Sequence, residues 1–193
     1  MRRYHLLALF LVLLFVQACA TTRSPSVSGT GNVPPGPTGS PGEEGTAQTV
    51  WQTFYAAADN DPAGSLTIAY PAPQGIHALA GGTGTYADPI TLAADKRWLP
   101  VGTRVYAPRW HKYFIMEDQC VPCEADWEAD RLHHVDLFMS PSSRSAVVRC
   151  ERSVTKNQAE NDIIVLNPDR NRAVDTTPLY TDAGGCVAAA HEY

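Results

Sequence analysis

Beyond its first twenty residues the chain has no segment apolar enough to span a membrane as a helix. It is short of cations: 15 Lys and Arg stand against 20 Asp and Glu, a net charge of −5. Broad electrostatic attraction to nucleic acid is therefore not expected. Charge of either sign is sparse, at 18% of residues. Internal repeats and long amphipathic helical patterns are missing as well, which argues against a helical bundle. What is present is 44% hydrophobic residues, enough for a core, together with 14 Gly and 15 Pro. That combination reads as a turn-rich β protein, and 193 residues hold one ordinary domain plus extensions.

The N-terminus is not part of that domain. Arg2 and Arg3 precede the apolar run Leu6–Phe15, and Ala18-Cys19-Ala20 follows. A charged start, a short apolar stretch and small residues make a secretory signal over residues 1–20. Two processing routes are open. Ala18-x-Ala20 suits ordinary cleavage, whereas Val16-Gln17-Ala18-Cys19 resembles a bacterial lipobox with Cys19 lipidated. Loss of Arg2 and Arg3 with no acid takes the net charge from −5 to −7. Residues 21–46, rich in Ser, Thr, Gly and Pro, read as a disordered linker. The domain is expected over 47–193.

Apart from Cys19 there are four cysteines, Cys120, Cys123, Cys150 and Cys186. An even number in an exported chain reads as two disulfides, with the pairing open. Cys186 is expected to pin the C-terminal tail to the domain. The rival reading of Cys120-x-x-Cys123 with His133 and His134 is zinc. Neighbouring histidines on a strand point to opposite faces, and export favours oxidised thiols. No metal and no cofactor are expected.

Short strands are expected at Val50–Tyr55, Leu66–Tyr70, Thr103–Ala107, Lys112–Asp118, Val135–Met139, Ser145–Arg149 and Asp162–Leu166. Thr85–Asp95 reads as extended with a short helix near Leu92–Asp95, and Cys123–His133 as a long loop. Strands this short and evenly spaced suggest a small closed barrel or sandwich.

Three motifs then bear on family. Thr53-Phe54-Tyr55 is followed by a polar loop; Leu99-Pro100-Val101-Gly102-Thr103 makes a turn; Asp118-Gln119-Cys120 leads to His134-Val135-Asp136-Leu137. Their order resembles the double-psi β-barrel group of rare lipoprotein A, barwin, expansins and glycoside hydrolase family 45. The resemblance implies an all-β, six-stranded double-psi β-barrel with short helices and long loops.

It also implies a site. Asp136 interrupts an apolar strand and matches the catalytic acid of the resembling hydrolases and lytic enzymes. Partial burial would raise its pKa, as suits a general acid. Asp118 and Asp88 are the other catalytic candidates, although the family 45 base pattern, Tyr-x-Asp on the first strand, fails at Tyr55-Ala56-Ala57. Tyr86-Ala87-Asp88 repeats that pattern later in the chain. His134 shares a strand face with Asp136 and is a candidate to contact sugar or tune the acid. Tyr55, Tyr86, Trp110 and Trp127 are candidate sugar-binding groups. Asp59 and Asp61 read as solvated loop residues, with substrate contact as the lesser alternative, and Glu117 as solvated or paired.

The expected activity is that of an exported, monomeric protein acting on cell-wall polysaccharide. It would be a glycoside hydrolase with two carboxylates or a lytic transglycosylase needing mainly one. Two other readings stand beside it: an expansin- or barwin-like glycan binder without catalysis, and a secreted protease inhibitor using the loop Cys123–His133. Membrane association would come only through Cys19.

Overall fold

The computed structural model describes residues 45–187 and 189–191. The signal over 1–20, Cys19 and all but the last two residues of the expected linker lie outside the described residues. The first strand begins at Thr46, which the sequence reading assigned to that linker.

Six strands close into a barrel: β1 (Thr46–Ala56), β2 (Ile90–Ala94), β3 (Arg104–Ala107), β4 (Lys112–Gln119), β5 (His134–Ser140) and β6 (Asp162–Leu166). Their order around the barrel is β1-β5-β2-β4-β3-β6. This order is unchanged when each strand is exchanged for the one three places along. The parallel pair β1·β5 becomes the parallel pair β4·β2, and antiparallel β1·β6 becomes antiparallel β4·β3. The barrel is thus two interlocked three-strand halves, the six-stranded double-psi arrangement expected from the motifs. A small hairpin of β7 (Tyr180–Thr181) and β8 (Gly185–Cys186) follows.

The interior is apolar and closely filled. Leu92, Val105, Phe114, Met116, Val135, Leu137 and Ile164 are fully buried. Trp110, 2% exposed, packs edge-on to Phe54 and donates its indole N–H to Gln52 Oε1 at 3.0 Å. Trp110 is therefore a core residue, not a sugar platform.

Several expected elements differ. Ser145–Arg149 is not a strand but opens α2 (Ser145–Val154). Its valines favour a strand locally, but Val147, Cys150 and Glu151 recur at helical spacing and form its buried face. Cys123–His133 is not a loop. Most of it is α1 (Val121–Asp130), started by Pro122 in the first turn and by Cys120, whose Sγ accepts from the Cys123 N–H at 3.1 Å. It stops at Arg131, in left-handed conformation with φ 56°. Leu92–Ala94 is strand rather than helix, held between β4 and β5. Leu66–Tyr70 is irregular.

The disulfides are Cys120–Cys123 and Cys150–Cys186. The second ties α2 to β8, so Cys186 does fasten the tail to the domain. Two disulfides are what chains in an oxidising compartment carry.

Candidate functional site

The parallel pairing of β1 and β5 sets the geometry. Trp51 lies opposite His134, Thr53 opposite Asp136 and Tyr55 opposite Phe138. Alternation sends these six side chains to one face and Val135, Leu137 and Met139 to the other. The face continues sideways: Asp136 pairs with Ala93 of β2, and Ala93 with Asp118 of β4. A lateral row Thr53–Asp136–Ala93–Asp118 results, in which the small Ala93 separates two acids.

Asp136 Oδ1 lies 2.7 Å from Thr53 Oγ1, whose hydroxyl donates to the carboxylate when Asp136 is ionised. Burial pushes the Asp136 carboxyl up to about 7; the Thr53 hydroxyl opposes this, and the charges of Asp59 and Asp118 add to it. Asp118 is also raised by burial, against three donors. These are the Ala69 N–H at 2.8 Å, the Tyr55 hydroxyl at 2.8 Å and the Gln119 N–H at 2.9 Å. Burial and the neighbouring Asp118 hold the Tyr55 phenol well above its ordinary value, so it stays a donor.

Two further acids complete the cluster. Asp59, in the turn after β1, is held by the Ala56 N–H at 3.0 Å. Glu151 of α2 is 3% exposed, and its Oε1 has no donor within reach. Burial pushes Glu151 up to about 8, with Asp59 and Asp136 reinforcing the shift. Asp59 and Glu151 line a cavity of about 460 Å³ with Trp51 and Phe54 on its apolar side and Arg152 and Lys156 as its cations; Asp136 lies outside that lining. A larger apolar cavity of about 580 Å³, between Ile90, Met139, Leu179 and Tyr180, holds none of these acids.

His134 is buried beneath Trp51, with ring centroids 4.3 Å apart. Its Nδ1 lies 2.7 Å from Asp126 Oδ2 of α1, and its Nε2 lies 2.8 Å from Thr53 Oγ1. Burial lowers its pKa against the pull of Asp126. The ligand atoms of Cys120, Cys123 and His134 lie within 4.8 Å of one another. In the disulfide neither sulfur is a thiolate, and both imidazole nitrogens are engaged. These residues would hold a metal only after reduction and release of the imidazole.

The other sequence candidates lie elsewhere. Asp88 is not brought to Asp136. Its Oδ1 meets His77 Nε2 at 3.1 Å, and His77 Nδ1 meets Glu117 Oε1 at 2.5 Å. Glu117 is not solvated but fully buried, also accepting from the Ile76 and His77 N–H groups and the Thr91 hydroxyl. Tyr86 packs edge-on to Tyr113 beneath Arg104 and Arg170. Trp127 of α1 joins Trp98 and His133 in an aromatic cluster. Sequence reasoning missed Glu151 and Trp51, gave Thr53 no role, and placed Asp126 only within the contact loop Cys123–His133. Thr53 and Trp51 were recoverable, since they alternate with Tyr55 on a strand already marked. Glu151 and Asp126 were not, because each sits on a helix read as something else.

The fold and the site together define a small disulfide-bonded β-barrel with a cluster of protonatable acids on one outer face. Residues 47–187 match the family described as the DDB_G0273701 N-terminal domain, and the chain belongs to that family. It is 43% identical over 137 residues to an uncharacterised Dictyostelium discoideum protein, DDB_G0273701/DDB_G0273221, covering 70% of this chain and 58% of the relative. The chain thus spans less than two thirds of that relative's length. No solved structure matches.

Proposed function

We propose that this is an exported protein that acts on cell-wall polysaccharide, with Asp136 as general acid for cleavage of a β-1,4-linked glycan. The observation that carries the reading is Asp136 itself: a carboxyl that burial raises to about 7, set among acids two residues along the strand from His134 under Trp51. Such a group is partly protonated at neutral pH and can deliver a proton to a glycosidic oxygen. The rest of the row suits the task. Asp118 lies two strands away, roughly 9–10 Å at the backbone from strand spacing. That is near the upper end of the carboxyl separation of about 6.5–9.5 Å for inverting hydrolysis. Trp51 offers an apolar wall of the kind that stacks on a sugar face. Export rests on the signal-like residues 1–20 and agrees with two disulfides.

A second reading has its own support. Asp118 already accepts from three donors, which leaves it poorly placed as a free base. A single working carboxyl fits a lytic transglycosylase, or an expansin-like binder that does not cleave.

The test compares wild type and Asp136→Asn on purified peptidoglycan and on soluble β-1,4- and β-1,3-glucans, with mass spectrometry of released fragments. Fragments are expected from wild type, at a rate at least about 100-fold above the variant. Anhydro or reducing ends separate lytic from hydrolytic cleavage. Binding without fragments favours the second reading, and neither binding nor fragments removes both.

A further inference from the structure

Four groups from three elements are joined end to end. Asp126 Oδ2 to His134 Nδ1 is 2.7 Å, His134 Nε2 to Thr53 Oγ1 is 2.8 Å, and Thr53 Oγ1 to Asp136 Oδ1 is 2.7 Å. All three are full hydrogen bonds. The middle of the chain is sealed: His134 is 3% exposed, under Trp51 and beside the Cys120–Cys123 disulfide. Its far end is wetter, for the Asp126 side chain is 33% exposed.

The donors can be assigned by elimination. A carboxylate at Asp126 only accepts, so Nδ1 carries a proton. With His134 neutral, Nε2 must accept, so the Thr53 hydroxyl donates to it. The Thr53 oxygen is then free to accept from a protonated Asp136. When Asp136 is ionised the chain reverses: Thr53 donates to Asp136, and Nε2 must carry a proton to keep its bond. Each arrangement satisfies all three links, and the two differ only by proton position.

We infer that Asp126, His134 and Thr53 form a proton relay that ends on Asp136. The proton on Asp136 passes to Thr53 Oγ1 as the proton of Thr53 passes to His134 Nε2. Asp136 gains one negative charge and His134 one positive charge, with Asp126 stabilising the imidazolium. No bond between heavy atoms forms or breaks. Asp126 and His134 are positioning residues that set the protonation state of the acid. The lowered pKa of His134 and the raised one of Asp136 agree with the neutral arrangement at rest.

The groups that face the relay are Thr53, Trp51 and Tyr55 from β1, Asp59 from the turn after it, Asp118 from β4, Glu151 from α2 and Asp126 from α1. Arg152 lines the same cavity as Glu151 and acts on it, but the charges that shift Asp136 directly are those of Asp59 and Asp118, both acids. This gives the test its sign. Removing the Asp126 charge through space would lower the Asp136 pKa. Through the relay it makes the imidazolium costlier and raises it.

The inference takes the role of Asp136 as an acid from the proposed function, but its test needs no substrate. The full chain is labelled with ¹³C in Asp carboxyls and ¹⁵N in His, and NMR follows both between about pH 4 and pH 9. Asp126→Asn is expected to raise the Asp136 midpoint by about half a unit or more. Thr53→Val is expected to separate the Asp136 and His134 curves, and Thr53→Ser to restore their coupling. A lowered or unmoved Asp136 midpoint in Asp126→Asn overturns the relay, as does an Nε2–H tautomer in neutral His134. Should Asp136 respond as expected while no glycan is cleaved, the relay stands and the enzymatic reading falls. Cleavage without that response means the reverse.

Discussion

Glu117 on β4 and Asp136 on β5 are both acids set into a barrel strand, and the surroundings of each decide what it can do. Glu117 is fully buried yet saturated, with two backbone N–H groups, the Thr91 hydroxyl and His77 turned toward it. Gly75 is part of the arrangement, since a Cβ there would stand 2.5 Å from Glu117 Oε2. Asp162 is of the same kind, clamped by Arg109 at 2.9 Å and Lys156 at 2.6 Å. Asp136 has the Thr53 hydroxyl and, among the described residues, no cation; its charged neighbours are Asp59 and Asp118. Saturated acids hold the fold together. An under-compensated acid stores a proton, and that is the condition for acid catalysis.

The comparison breaks most visibly if the two acids respond alike to loss of charge. Glu117→Gln turns an amide NH₂ toward donors that need an acceptor. It should cost about 3–5 kcal/mol, read from the denaturant midpoint. Asp136→Asn should cost no stability at neutral pH and should abolish the proposed glycan cleavage. An equal loss in both variants would mean that Asp136 is structural.

The next largest effect concerns what holds α2, and with it Glu151, against the barrel. Cys150 and Cys186 are 36 residues apart, and their bond closes the segment containing β6. Replacing both with Ser should cost about 2–4 kcal/mol in urea unfolding. It should also loosen the packing of Glu151 and lower the proposed glycan cleavage, whereas the His77–Glu117 cluster should keep its geometry.

The sequence carried the barrel because its strands are short, β-branched or aromatic, and bounded by turns; Asp162–Leu166 was located to the residue. It carried Asp136 because an acid in an apolar alternation stands out. It did not carry the cluster around that acid. Glu151 lies in Ser145–Val154, where valines mimic a strand, and Asp126 in a segment whose helical start depends on cysteine capping. Asp88 was paired with Asp136 by a local Tyr-x-Asp pattern, but the chain takes it to His77 instead. A pair formed by two distant segments has no signature in either one.

Glu151 sharpens the contrast by pH. Its pKa is raised to about 8, so the folded protein binds a proton that the unfolded chain releases near pH 4.5. Stability contributed by that proton is therefore lost as pH rises from about 4.5 to about 8. Glu151→Gln has no proton to lose. It should match wild type at pH 5 and exceed it at pH 8, by on the order of 1–3 kcal/mol. Thermal melts at the two pH values check this, and no difference between them would place Glu151 with the saturated acids.

The smallest expected effect tests whether the saturated cluster takes any part in function. Asp88 is about half exposed, so its bond to His77 is screened by water and should contribute at most about 1 kcal/mol. Burial works against both charges, but hydrogen bonds outweigh it: Thr83 and His77 hold Asp88 below its ordinary value, while Glu117 and Asp88 hold His77 above its own. The contribution is present while Asp88 is ionised and His77 protonated. It is lost as pH falls through the lowered pKa of Asp88, and again as pH rises through the raised pKa of His77. Asp88→Asn should therefore lower stability slightly at pH 5, less at pH 8, and leave cleavage of any glycan unchanged. Loss of cleavage in Asp88→Asn with the fold intact would make Asp88 the missing second carboxylate, and would join the two regions that the geometry keeps apart.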